Sequence, residues 1–169
     1  VKEGVLVGLL TSRETAVELN RLLGREYFKG SGGTVRAMNA LNWPLIRMVN
    51  ILIQPGEMPF EKMKDRVPNG TIMLGTNKSW SIDDIRRHFN FGTEIAWEKV
   101  GDDRWEIRKN AKYSGDNLAF FRSCQGFASK ESFFMHGIGN CGKDVAPIQS
   151  IPTGHGSSPG WFSKVKVSS

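Results

Sequence analysis

Apolar positions in this chain switch between two periods, and the switch predicts its elements. Residues 5–10, Val-Leu-Val-Gly-Leu-Leu, form a short apolar run of the length of a buried strand. Thr11-Ser12-Arg13-Glu14 follows with capping-box spacing, Thr11 as N-cap and Glu14 reaching back three residues later. Ala16, Leu19, Leu22 and Leu23 then recur on one helical face, and Gly24 tolerates the left-handed conformation that ends a helix. Strand, cap, helix and stop together predict a β-α unit.

Farther along, the signals alternate between strand and turn. Lys29-Gly30-Ser31-Gly32-Gly33 is a glycine-rich loop. Beside a lysine it invites a phosphate-binding reading, but it has neither the Walker nor the Rossmann spacing, so a plain loop is expected. Thr34 is placed to cap a short helix over residues 34–41, with Pro44 ending it. Residues 45–53 read as a buried strand closed by Pro55-Gly56, and residues 60–66 as a charged surface helix. Pro68-Asn69-Gly70 turns the chain into a strand at residues 71–74, and Ser81 with Asp84 predicts a second capped helix reaching Phe89. The clearest hairpin pairs residues 94–100 with 104–109 around Gly101-Asp102-Asp103, with Trp97 and Trp105 on facing strands. After Asn110 short apolar runs (residues 118–121 and 132–135) stand among Gly, Ser, Asn and Lys. Residues 137–160, rich in glycine and proline, read as loop, with a last strand or docking tail at residues 161–167.

These elements predict a single-domain α+β fold, mainly antiparallel sheet with two or three helices and a Gly-rich C-terminal segment. Residues 1–136 form the globular part and residues 137–169 a loop and tail packed on it. A chain of 169 residues buries enough surface for one core without disulfide or metal. No apolar run approaches the ~18 residues of a membrane span. The first residues lack a signal peptide and an initiator Met, so a processed or truncated, soluble, intracellular protein in a reducing compartment is expected. Two cysteines make no disulfide framework.

Charge changes the functional picture. The formal net charge is +6, and residues 1–103 carry 14 Lys and Arg against 13 Asp and Glu, whereas residues 104–169 carry 9 against 4. Within the basic part, Arg108, Lys109, Lys112, Tyr113, Phe121, Arg122, Phe127 and Lys130 interleave cations with aromatics, the pairing that neutralises phosphates and stacks bases. The leading expectation is therefore a non-enzymatic nucleic-acid-binding domain, for RNA or DNA, with other protein subunits of a nucleoprotein assembly as further partners and no membrane. The opening run and its capped helix are reminiscent of the first strand and helix of an RNA-recognition motif. The strand lacks the motif's aromatic, and the basic-Gly-aromatic-Gly-aromatic partner strand is missing, so the family is not assigned.

Two further chemistries compete. Cys124, His136, Cys141 and His155 lie in the spacing C-x11-H-x4-C-x13-H, enough N and S donors for a structural zinc but in no common zinc pattern. Asp102, Asp103, Glu106 and Lys109, with Glu94 and Glu98 across the hairpin, supply the carboxylates and lysine of a Mg-dependent nuclease, although Asp in a tight turn has a backbone reason of its own. A protein-interaction or structural subunit is the third alternative. The run Gly154-His155-Gly156-Ser157-Ser158 lacks the strand-turn-helix context of a nucleophile elbow, and no catalytic residue is assigned.

Overall fold

The computed structural model describes residues 1–143 and 148–168, which fall into two compact units. The first comprises Val1–Leu52 with Met135–Gly156, the second Ile53–Phe134 with Ser157–Ser169.

In the first unit the helix α1 (Arg13–Leu23) forms where its apolar spacing predicts and ends at Gly24, whose φ of 63° is left-handed. Its cap sits one residue later than expected. Ser12 Oγ accepts from the Thr15 amide at 3.1 Å and Thr15 Oγ1 accepts from the Ser12 amide at 2.8 Å, so Thr15 takes the place expected for Glu14. Thr11 is buried and serves the glycine-rich loop instead: Gly32 N donates to its Oγ1 at 2.8 Å and Ser31 Oγ to its carbonyl at 3.1 Å.

Residues 5–10 are exposed and, apart from a bridge between Lys2 and Val5, form no strand. An apolar run becomes a strand only where a neighbouring strand takes up its amides and carbonyls. The helix expected over residues 34–41 is likewise not formed. A two-residue strand β1 (Val35–Arg36) pairs antiparallel with β2 (Leu45–Ile46), and the single strand expected for residues 45–53 splits into β2 and β3 (Ile51–Leu52). Most of the glycine-rich residues expected as loop are strands: β11 (Phe134–Lys143) and β12 (Gln149–Ser157) are neighbours in the sheet order β11-β12-β3, with β12 parallel to β3, while residues 144–147 of that stretch lie outside the described residues.

The second unit begins with α2 (Phe60–Arg66), the surface helix expected there. Strands β4 (Ile72–Leu74), β7 (Ala96–Lys99) and β8 (Trp105–Arg108) make an antiparallel sheet in the order β4-β7-β8. This realises the predicted hairpin. Its register sets Trp97 opposite Ile107 and Lys99 opposite Trp105, so the two indoles are diagonal neighbours.

A four-stranded antiparallel sheet has the order β14-β9-β6-β5, from β5 (Asn77–Ile82), β6 (His88–Thr93), β9 (Lys112–Asp116) and β14 (Lys166–Ser168). The helix expected from Ser81 to Phe89 is thus a hairpin. Asp83 Oδ1 accepts from the Arg87 amide at 2.6 Å and Arg86 adopts φ 59°, closing a turn between β5 and β6. Helix α3 (Asn117–Arg122) follows β9 with Asp116 as its N-cap, and β10 (Cys124–Phe127) pairs antiparallel with β13 (Gly160–Phe162).

The result is an α+β fold of mostly antiparallel sheets with three α-helices among the described residues. Among those residues no helix is long and apolar enough to cross a membrane.

Candidate functional site

The second unit carries an open groove of about 520 Å³. One wall exists because Gly56 passes against β10. A Cβ on Gly56 would sit 2.1 Å from the Phe127 carbonyl oxygen, so only glycine allows this approach. The approach is then held by backbone bonds, Gly56 N to Ala128 O at 2.9 Å and Ser129 N to Met58 O at 2.7 Å, in a parallel pairing. The other wall is α2, which starts directly after Pro59 and buries Met63, with Val67 buried just beyond its end.

The carboxyl end of α2 is fixed by Lys99 on β7. Lys99 is only 4% exposed, and its Nζ donates to the carbonyls of Lys64 (2.9 Å), Asp65 (3.0 Å) and Val67 (2.9 Å). A cation there satisfies carbonyls that have no partner inside the helix and complements its dipole. Lys62 and Arg66, one helical turn apart, face the groove together with Glu57, Met58, Gly126 and Phe127. Sequence reasoning identified α2 but not this role. The facing wall lies some sixty positions away in the chain, and nothing local in residues 60–66 points to it.

The basic-aromatic residues mostly serve the fold of this unit. Tyr113 packs edge-on against Phe89 (5.7 Å) and Phe91 (5.4 Å), accepts from Asn77 Nδ2 at 3.0 Å, and its phenol pKa is pushed up by burial. Phe120 stacks on Phe162 with centroids 4.1 Å apart, and Phe121 and Phe127 meet the same Phe162 ring edge-on. Of the cations, Arg108 is paired with Glu98 across the hairpin. Lys109, Lys112, Arg122 and Lys130 are exposed, just beyond β8, on β9, on α3 and on a short 3-10 turn. Phe121 is the one aromatic of the predicted set with its ring largely in solvent, at 57% exposure.

The hairpin carboxylates form no cation site. Glu98 lies directly opposite Glu106, but each has an arginine, Arg108 for Glu98 and Arg104 at 3.4 Å for Glu106, while Asp102 and Asp103 stay in the turn. Among the described residues, no three of the four candidate zinc ligands are grouped. Cys124 is on β10 of the second unit, whereas His136 and Cys141 on β11 and His155 on β12 belong to the first. Five positions separate His136 from Cys141, and the two-residue period of a strand turns them to opposite faces. His155 Nε2 hydrogen-bonds Thr153 Oγ1 at 3.2 Å. Both thiols are unbridged, and among the described residues no three His, Cys, Asp or Glu side chains are grouped to hold a metal ion.

Around Cys141 the first unit is held by a buried arginine. Arg47 donates to the carbonyls of Cys141 on β11 and of Gln149 on β12, the latter at 3.0 Å, and its Nε is buried without a partner among the described residues. Gln149 is itself buried, accepting from Met38 N at 3.0 Å and donating to the Trp43 carbonyl at 2.8 Å. Strands carrying so few apolar side chains are thus joined by side-chain-to-backbone bonds.

Comparison with known proteins overturns the nucleic-acid reading. Residues 1–169 match the sequence profile described as the PmbA/TldA metallopeptidase C-terminal domain. A protein of Methanothermobacter thermautotrophicus named metalloprotease is 30% identical over 156 residues, covering 92% of this chain and 31% of that protein. A metalloprotease of Methanocaldococcus jannaschii gives the same identity and coverage, and one of Synechocystis is 27% identical over 143 residues, covering 85% of this chain and 28% of its own length. The chain therefore spans about a third of the length of these relatives. Neither an RNA- or DNA-binding domain nor a nuclease with carboxylates on residues 94–109 agrees with such relatives. Charge and ring spacing misled because the same residue types build an ordinary aromatic core with solvated cations. A metallopeptidase family implies a metal cofactor, and the described residues of this chain do not assemble a site for one. The full-length match places this chain in the PmbA/TldA metallopeptidase C-terminal domain family.

Proposed function

We propose that this chain is the carboxyl-terminal domain of a metal-dependent peptidase, and that it contributes a substrate-facing surface while the metal centre needs donors from beyond it. The reading rests on the family match across residues 1–169. Zinc, which serves peptidases as a Lewis acid and lowers the pKa of a bound water, is the metal we propose. In the second unit, the groove between α2 and β10 is the surface best formed to receive part of a peptide.

The test uses the full-length protein that carries this chain. Metal content is measured by plasma mass spectrometry, and cleavage of a fluorogenic peptide library is followed with and without 1,10-phenanthroline. Bound zinc, with cleavage lost on chelation and restored by added zinc, is the expected result. Protein that retains no metal from zinc-containing buffer, or cleavage indifferent to the chelator, would overturn the reading.

A further inference from the structure

The groove of the second unit has a chemistry of its own, beyond its family. We infer that it binds the carboxyl-terminal end of a peptide, with Lys62 and Arg66 pairing the terminal carboxylate and the backbone amide and carbonyl of Glu57 pairing the peptide backbone. The inference takes its ligand class from the peptidase reading; its binding features come from the groove.

Three observations converge on it. Lys62 and Arg66 are exposed on one face of α2, four positions apart, and neither has an ion-pair partner among the described residues. The intervening lysine, Lys64, is already engaged by Glu61. Two adjacent, uncommitted cations on a groove wall are a receptor for an anion, and a guanidinium binds a carboxylate with two parallel hydrogen bonds. Glu57 on the same lining offsets one of those charges, which matches the groove to a singly charged carboxylate rather than to a phosphate.

The second observation concerns the backbone. Gly56 and Met58 spend their inward hydrogen bonds on Ala128 and Ser129. Glu57 forms a bend between these two bridged residues, and neither its amide nor its carbonyl has a partner among the described residues. An exposed, unpaired amide and carbonyl can exchange hydrogen bonds with the backbone of a bound peptide, contacts that give affinity while flanking pockets give selectivity. The third observation is the lining between these polar groups. Met58 and Phe127 are apolar and half-buried, and over Gly126, at φ 145°, a Cβ would meet nothing within 4 Å. An apolar floor beside a carboxylate receptor suits a peptide whose last residues are hydrophobic.

The experiment is a fluorescence-anisotropy titration of the full-length protein, stripped of metal by chelation so that no cleavage intervenes. The probe is an N-terminally labelled hexapeptide, Gly-Ser-Gly-Ala-Leu-Phe, ending in either a free carboxylate or an amide. The free acid binds about tenfold more tightly than the amide. Lys62→Gln with Arg66→Gln brings the acid down to the level of the amide while the thermal midpoint and circular dichroism are unchanged. Glu57→Gln, which keeps the backbone, tightens the free acid further. Equal binding of acid and amide, or an acid preference that survives the double substitution, overturns the inference. Displacement of the probe by succinate as readily as by unlabelled peptide also overturns it, since the groove would then take small carboxylates. Loss of peptidase activity leaves these outcomes untouched, so the two readings fail separately.

Discussion

The ammonium of Lys99 lies 2.9 Å from the carbonyl oxygen of Val67, at the point where α2 has ended and the chain turns towards β4. With the carbonyls of Lys64 and Asp65 as further acceptors, this one side chain on β7 anchors the helix that carries Lys62 and Arg66. Lys99→Met keeps the buried stem and removes the three donors. It is expected to lower stability by about 1–3 kcal/mol, since the abandoned carbonyls lose their partners inside the protein. Urea unfolding compares it with Lys112→Met on the exposed side of β9, which should change stability by less than about 0.5 kcal/mol.

The close passage of Gly56 makes a second expectation. Gly56→Ala forces a Cβ against the Phe127 carbonyl, and the pairing of residues 56–58 with 128–129 has to open. A loss of roughly 1–3 kcal/mol is expected from overpacking, together with loss of peptide binding in the groove. Gly137→Ala in β11, where the added carbon meets nothing within 4 Å, is the matched control and leaves the thermal midpoint in place.

Phe120 and Phe121 are adjacent in α3 and differ in what they touch. Phe120 stacks on Phe162 and meets Phe89 edge-on at 5.2 Å, whereas Phe121 is mainly in solvent. Phe120→Ala should cost about 3 kcal/mol and Phe121→Ala less than about 1 kcal/mol. Equal losses in urea unfolding would show that the stack carries no weight.

Asp116 links pH to the stability of the second unit. The Ala119 amide at 2.9 Å and then the Arg87 guanidinium, also at 2.9 Å, hold its carboxyl pKa below the usual value. A depressed carboxylate contributes stability that is complete above its unfolded pKa, near 4, and that disappears as pH falls from there through the lower folded value. Asp116→Asn, which can still cap α3 through its side-chain oxygen, should therefore lose part of the pH dependence on the acid side of about pH 4. Thermal melts of both proteins across that range check the expectation. Parallel curves would count against it.

How far the chain could be read without its structure follows from the range of each signal. Within α1, the apolar spacing and Gly24 were legible because a helix closes its hydrogen bonds four residues away. For the β7–β8 hairpin the partner strand lies just beyond a tight turn, so alternation and turn residues sufficed. α2 was legible as a charged helix, but its groove was not, because the opposite wall at Gly126 and Phe127 approaches only through Gly56. The cation-aromatic spacing gave no sign that Tyr113 and Phe120 share a core with Phe89 and Phe162, contacts set by tertiary packing.

The remaining elements were decided by pairing between distant segments. Ser81 and Asp84 have the spacing of a helix cap, yet β6 lies between β5 and β9, and two ladders of backbone bonds outweigh one capping interaction. Residues 137–160 have the glycines and prolines of a loop, but within them β12 lies beside β11 and parallel to β3, which gives the backbone of those strands the partners it needs. Residues 5–10 have the composition of a strand but, among the described residues, join no sheet. The sequence by itself determined the class, α+β, and those elements whose hydrogen bonds close within a few residues. Only the tertiary structure decided which glycine-rich and apolar stretches became strands, because a strand is completed by a partner that local sequence does not name.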